Sequence, residues 1–296
     1  MFSGPRIWTY TGDCSDDMAR LAAALKQADA VVIGAGAGLS ASAGLTYSGE
    51  RFTRLFGDFA AAYGIRDMYS GGFYRFPTPE EHWGWWSRHI WYNRYEPGPL
   101  PVYRRLLSLV KDKDYFVLTS NVDHQFQLAG FDERRFFCPQ GDYGLWQCRV
   151  PCHERTYDNA EAVKRMVEEQ KDMRVPSALV PHCPECGRFM TMNLRVDDTF
   201  VQDENWYAAH ARYREFLRVH EGCRMLFWEL GVGYNTPGII KYPFWQMTEK
   251  NAAATYASMN MAPARLPYTV RDRAVWLTGD IGERLAELEN LLCGDC

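Results

Sequence analysis

Four cysteines fall into two close pairs. Cys148 and Cys152 have three residues between them, Cys183 and Cys186 have two, and thirty residues separate the pairs. Two short turns that each aim two thiolates at one point suit tetrahedral zinc; with all four positions filled by protein the ion would be structural, not catalytic. His153 and His182 stand beside the pairs and could substitute as ligands, although flanking or surface positions are the plainer expectation. A second stretch, Val31 to Gly44 (VVIGAGAGLSASAG), is an apolar run opening into glycines, as at turns where backbone N–H groups meet a phosphate. The dinucleotide spacing G-x-G-x-x-G does not fit it: counted from Gly34 the third glycine position is Leu39, and counted from Gly36 it is Ala41. On spacing alone, a turn that only packs a strand against a helix explains these glycines equally well. A third stretch, TSNVD at Thr119 to Asp123, carries a polar amide and a carboxylate directly after an apolar run.

The elements that must hold these groups follow from hydrophobic spacing. Asp16 to Ala28 places Met18, Leu21, Ala22 and Leu25 on one helical face after a candidate cap at Ser15, and leads into a strand at Ala30 to Ile33. A helix over Pro101 to Val110 precedes a strand at Tyr115 to Leu118, and a helical pattern around Tyr213 to Leu217 precedes a strand at Arg224 to Leu230. A last strand, Val275 to Thr278, is followed by Gly279, Asp280 and a helix from Ile281 to Leu292. This recurrence predicts an α/β fold, a Rossmann-like parallel sheet covered by helices. Two segments break the rhythm. Thr46 to Gly98 reads as irregular and crowded with aromatics, among them Trp83, Trp85, Trp86 and Trp91; Cys148 to Asp203 carries the cysteines and a charged helix, Asn159 to Lys171. The expected division is a Rossmann-like domain from 1–45, 99–147 and 204–296, and a smaller zinc-binding and helical domain from insertions 46–98 and 148–203. The tryptophans are expected as the core of the helical module, or alternatively as an apolar wall for an acceptor group.

With 296 residues and 47% apolar side chains the chain can bury a sizeable core. Its net charge of −4, from 33 basic and 37 acidic residues interspersed, gives no basic field for nucleic acid or an anionic membrane surface. No stretch reads as a signal peptide or a membrane span, so a cytoplasmic location is expected, and the nine cysteines read as free or metal-bound thiols.

Taken together, GAGLSASAG at Gly36 to Gly44, TSNVD, the paired cysteines and a late GVG and GD occur in an order that resembles the sirtuin family over nearly the whole chain. The family pattern GAG[IL]SxxxG matches Gly36, Ala37, Gly38, Leu39, Ser40 and Gly44; TQN[IV]D matches Thr119, Asn121, Val122 and Asp123, with Ser120 in place of glutamine. The resemblance implies that the glycine turn holds NAD, with N–H groups of Ala37 to Leu39 facing the pyrophosphate and Ser40 adding a hydroxyl. Asp123 would bind the nicotinamide carboxamide and Asn121 would orient the ribose. Gly231, Gly233 and Asn235 would contact phosphate and ribose, Asn260 the adenosine ribose, and Asp280 with Ile281 the adenine side. Tight-turn packing or a solvated loop would account for these later residues equally simply.

Sirtuin deacylases place a catalytic histidine eight residues before the first zinc cysteine. Here that position is Gln140, whose neutral amide can hydrogen-bond a ribose hydroxyl but cannot take its proton. The family's GIPDFR segment is replaced by Leu45, Thr46, Tyr47 and Ser48, and the acyl-peptide strand after Arg195 reads VDDTFVQD. With NVDHQF, these changes resemble the macrodomain-linked class M sirtuins, which are protein ADP-ribosyltransferases associated with a macrodomain hydrolase, a lipoate-protein ligase and a lipoylated carrier resembling glycine-cleavage H protein. An ionised Asp or Glu on the partner would need no base. His124 could replace the missing base from a neighbouring position, against the plainer reading of a packed or surface histidine. A deacylase or NAD glycohydrolase, and a non-catalytic NAD or ADP-ribose sensor, are the alternatives; Asn121 and Asp123 weigh against the last.

Overall fold

The structure is a computed structural model that describes residues 7–9, 14–262 and 265–294. Its centre is a six-stranded sheet, all of whose pairings are parallel. Across it lie Phe136–Phe137, Tyr115–Thr119, Ala30–Ala35, Met225–Leu230, Thr255–Asn260 and Ala274–Thr278. In chain order this is 3-2-1-4-5-6, the doubly wound arrangement, whose ligand crevice opens where the order reverses. That point lies between Ala35 and Leu230, which are register partners. Ala30–Ala35 and Met225–Leu230 are buried along their whole length because helices cover both faces. One apolar cluster joins the helix Cys14–Gln27, Pro101–Val110 and Ile281–Gly294 to one face; another joins Glu204–Val219 and Lys241–Lys250 to the other.

The strands and helices expected from periodicity are present with small shifts at their ends. The first helix begins at Cys14, so Ser15 lies inside it. The charged helix runs Ala160–Glu169. The segment 46–98, irregular in its sequence rhythm but expected to hold the helical module, is mainly helical: Gly49–Tyr63, Met68–Gly72, Pro79–Ile90 and a π-turn at Trp91–Tyr95. The signal was present. Phe52, Phe56 and Phe59 are buried at helical spacing, and Thr78 and Glu81 form a capping box behind Pro79. Trp83, Trp85 and Trp86 are buried in an apolar cluster shared with Trp146, Val163, Met166 and Met190, so the two insertions pack on each other. A three-stranded antiparallel sheet, Tyr157–Asp158, Gly141–Cys148 and Met190–Leu194, carries the cysteine turns.

Candidate active site between two glycine turns

The two glycine turns touch backbone to backbone. Gly38 donates its N–H to the Gly231 carbonyl at 2.9 Å and Gly36 donates to the Leu230 carbonyl at 2.9 Å. A Cβ on Gly36 would come within 2.7 Å of the Gly231 oxygen, and one on Gly38 within 2.7 Å of the Gly231 Cα. Gly231 has φ +66°, and its own Cβ would meet Gly38 and Leu39 at 2.5 Å. These glycines are therefore demanded by turn-to-turn contact. This corrects the expectation that N–H groups of Ala37 to Leu39 all face a phosphate: Gly38 is committed to Gly231, and Leu39 donates to the Gly36 carbonyl at 3.0 Å. Ala37, at the first position of the helix Ala37–Ser42, retains its N–H. Gly44 ends that helix at φ +97° and donates to the Ala41 carbonyl.

Asn121 and Asp123 are brought onto the first turn from the end of Tyr115–Thr119. Asn121 Nδ2 donates to the Gly36 carbonyl at 2.9 Å. Ser40, expected at a phosphate, donates its hydroxyl to Asp123 Oδ2 at 2.5 Å and meets the buried Tyr103 hydroxyl at 3.0 Å. It is turned inward because its helix covers Asp123, the larger unmet demand. The Gln125 N–H reaches the other Asp123 oxygen at 3.1 Å. Burial pushes Asp123 above its ordinary value of 3.8, and the Ser40 and Gln125 hydrogen bonds partly restrain the rise. Ser120 lies against the Ala35 carbonyl at 3.5 Å.

Gln140 sits on the turn before Gly141–Cys148, its carbonyl accepting from the Arg195 N–H at 3.0 Å. Its side-chain Oε1 is buried without a hydrogen-bond partner, a polar atom awaiting a donor. Nearby, His124 has φ +64° and pairs through Nδ1 with Asp142 Oδ2 at 3.2 Å, while Arg94 Nε holds Asp142 Oδ1 at 2.8 Å. Burial opposes the charge on Asp142, but His124 and Arg94 outweigh it and hold the carboxyl below its ordinary range.

The later residues divide. Asn260 Nδ2 donates to the Val232 carbonyl at 3.0 Å, tying the second glycine turn to its neighbouring strand. Asp280 accepts from Ser42 Oγ at 3.0 Å and from the Glu283 N–H at 3.1 Å, a helix-capping role, and Ile281 is buried beneath it. Gly233 and Asn235 lie exposed, Gly233 with open space where a Cβ would stand. Sequence reasoning missed Tyr103, which presents only core periodicity, and Cys138, whose thiol donates to the Asn121 carbonyl at 3.3 Å. Burial raises the Cys138 pKa, so it stays a thiol; its place two residues before Gln140 was the available signal.

The Sγ atoms of Cys148, Cys152, Cys183 and Cys186 lie within 4.8 Å of one another, with Cys148–Cys186 at 3.6 Å and Cys152–Cys183 at 3.7 Å. Zn–S bonds of about 2.3 Å in a tetrahedron place sulfurs roughly 3.8 Å apart, so the four fit zinc. His153 contacts Cys152 Sγ at 3.0 Å and Tyr157 at 2.8 Å, and His182 contacts the Val180 carbonyl, so both flank the cluster.

Solved Sir2 structures share this fold. A Sir2 homologue–NAD complex aligns with a TM-score of 0.61 at 16% identity, covering 98% of each chain. A second Sir2 structure gives 0.58 at 19%, covering 94% of this chain and 98% of that one. In sequence, the protein ADP-ribosyltransferase of Staphylococcus aureus is 40% identical over 262 residues, 88% of this chain and 83% of that protein. The chain belongs to the protein ADP-ribosyltransferases, built on the Sir2 fold.

A further relative of this transferase, a probable bifunctional ADP-ribose hydrolase/ADP-ribosyltransferase of Fusarium oxysporum f. sp. cubense, is 30% identical over 285 residues, 88% of this chain and 46% of that protein. No protein-family model matches the chain. The Ala37 N–H is uncommitted, a Cβ on Gly233 would meet open space, and Gln140 Oε1 is buried without a partner. Among the described residues no helix is long and apolar enough to cross a membrane.

Proposed function

We propose that this transferase moves ADP-ribose from NAD onto one side chain of a lipoylated carrier protein resembling glycine-cleavage H protein, with release of nicotinamide. The observation that carries the reading is the pairing of an intact Asn121–Asp123 anchor with an amide, Gln140, where a deacylase has its base. NAD supplies the ADP-ribosyl group and the leaving nicotinamide. Asp123 would accept the carboxamide N–H with an oxygen already oriented by Ser40 or Gln125, and Asn121, fixed on the Gly36 carbonyl, would set the ribose region. Loss of a general base typically costs about 10²- to 10⁴-fold. A carboxylate acceptor, with a pKa of about 4, escapes that loss because it arrives ionised. We take Asp or Glu as the acceptor class, with Gln140 hydrogen-bonding a ribose hydroxyl without removing its proton.

The name of the Fusarium relative, which joins an ADP-ribose hydrolase to an ADP-ribosyltransferase, supports a working partnership with such a hydrolase; that it is a macrodomain hydrolase is what the class M resemblance implies. A lipoate-protein ligase is the associate that a lipoylated carrier requires. We place the reaction in the cytoplasm and assign 46–98 and 148–203 to one small domain. The test is incubation with labelled NAD and the purified lipoylated carrier, followed by gel separation. Label on the carrier is expected, abolished in Asn121→Ala and Asp123→Ala. Free ADP-ribose without protein label would make the enzyme a glycohydrolase, and robust release of acetyl groups from an acetyl-lysine peptide would make it a deacylase; either result overturns the reading.

A further inference from the structure

Glu229 and Lys241 form an ion pair in the interior: their side chains are 0% and 1% exposed, and Nζ stands 2.5 Å from Oε1. Glu229 lies in the strand Met225–Leu230, two residues before Gly231, and Lys241 is the first residue of the helix Lys241–Lys250. The pair therefore closes the base of the whole connecting segment 231–240. The neighbouring strand braces it. Tyr256 donates its hydroxyl to Glu229 Oε2 at 2.7 Å, and Ser258 Oγ lies 3.1 Å from Oε1. From the other side, Lys241 Nζ sits 5.1 Å from the ring centre of Tyr234, a residue in the middle of the segment that is itself 54% exposed.

A buried ion pair is poor value as a source of stability, since apolar residues of similar volume often serve as well or better. What it supplies is direction: Glu229 is saturated by three donors, and Lys241, paired with Glu229, faces the rings of Trp245 and Trp276 at 5.9 and 6.0 Å and, from the segment itself, that of Tyr234. Along 233–236 the segment is exposed throughout and is held at Tyr234, by the ring over Lys241 and by a hydrogen bond to the Arg265 backbone, whereas its first residue, Gly231, is pressed against Gly38 and Leu39 of the first glycine turn. A shift at the base would thus be passed to both walls of the crevice.

We infer that the Glu229–Lys241 pair is a positioning device that sets the shape of segment 231–240, through Tyr234, to receive the diphosphate and ribose of the donor. The inference rests on the reading of this crevice as the NAD site. Neither residue touches the reacting atoms, so the effect belongs to donor affinity and not to the chemical step.

The test uses the full chain, with binding of ADP-ribose by calorimetry and steady-state kinetics with NAD. The double variant Glu229→Gln/Lys241→Met removes both charges, keeps the volumes and leaves one acceptor oxygen for Tyr256 or Ser258, the other hydroxyl turning to accept from the amide N–H. We expect it to bind ADP-ribose about ten-fold more weakly, with KM for NAD raised and kcat little changed. Tyr234→Ala, at an exposed position, should weaken binding in the same direction, and Tyr234→Phe, which keeps the ring over Lys241, should restore it. A folded double variant with wild-type affinity overturns the proposal; if that variant does not fold, wild-type affinity in Tyr234→Ala overturns it alone. Failure of the wild-type protein to bind either ADP-ribose or NAD would instead remove the donor-site reading, and this inference with it.

Discussion

Ser40 and Asp123, 83 positions apart, are joined by a hydrogen bond of 2.5 Å at the bottom of the crevice. The bond ties the helix after the first glycine turn to the loop after the next strand, and it sets the charge of the carboxylate. Burial raises the Asp123 pKa above 3.8, while the Ser40 hydroxyl lowers it by favouring the ionised form. In the proposed function Asp123 accepts from the nicotinamide carboxamide, for which the ionised form serves best. Activity should therefore fall on the acid side with a midpoint above 3.8, and Ser40→Ala, which removes a restraint on the rise, should move that midpoint higher. Nicotinamide release measured across pH checks both; a midpoint moved downward in Ser40→Ala would contradict the assignment.

Gly231→Ala should fail at both glycine turns at once. The new Cβ meets backbone atoms at 2.5 Å, and the residue must hold φ +66°. Neither neighbour is a flexible side chain that can move aside. We expect a loss of roughly 1–3 kcal/mol from strain and overpacking combined, read by denaturant unfolding, together with loss of transfer activity. Gly233→Ala, with open space at its Cβ, is the control and should keep wild-type stability.

The thiolate cluster predicts one zinc per chain. Cys183 is buried between the strand Met190–Leu194 and the helical module, so loss of the ion should loosen the shared apolar cluster as well as the cysteine turns. Cys183→Ser should purify with little zinc and melt at a lower temperature. Metal analysis showing well under one zinc in the wild type, or full zinc and unchanged melting in the variant, would defeat the assignment.

Gln140→Ala removes an amide whose oxygen has no partner within the protein. Its effect should therefore fall on transfer and not on folding, at about 1–2 kcal/mol in the activation barrier for one hydrogen bond. Gln140→His should not create an efficient deacetylase, because Tyr47 and the stretch after Arg195 have also changed. Tyr47 is held by the Tyr143 hydroxyl at 2.8 Å, which in turn meets His89 Nε2 at 2.9 Å, so this wall of the site is fixed independently of residue 140. An acetyl-lysine peptide assay on both variants decides the matter; robust deacetylation by Gln140→His would show that one residue controls the reaction type.

The sequence by itself carried whatever depends on neighbours along the chain. Apolar spacing marked the strands Ala30–Ala35 and Tyr115–Thr119 and the helix Pro101–Val110, and the same rule, applied to Phe52, Phe56 and Phe59, would have placed the helix Gly49–Tyr63 within the helical module expected over 46–98. The paired spacing of the four cysteines already implied a common centre, because short turns leave thiolates few directions to point. Tertiary structure decided the partners. Ser40 could have served a phosphate or a carboxylate, and only the approach of Asp123 commits it. The glycines of the first turn could have admitted a ligand, yet Gly36 and Gly38 are occupied by the backbone of Gly231, nearly two hundred residues on. Glu229 and Lys241 show nothing in their own surroundings along the chain to mark them as a buried pair. Hydrophobic period and turn chemistry are local and survive in one dimension, whereas saturation of a hydrogen bond or closure of a backbone contact depends on which distant group the fold brings alongside.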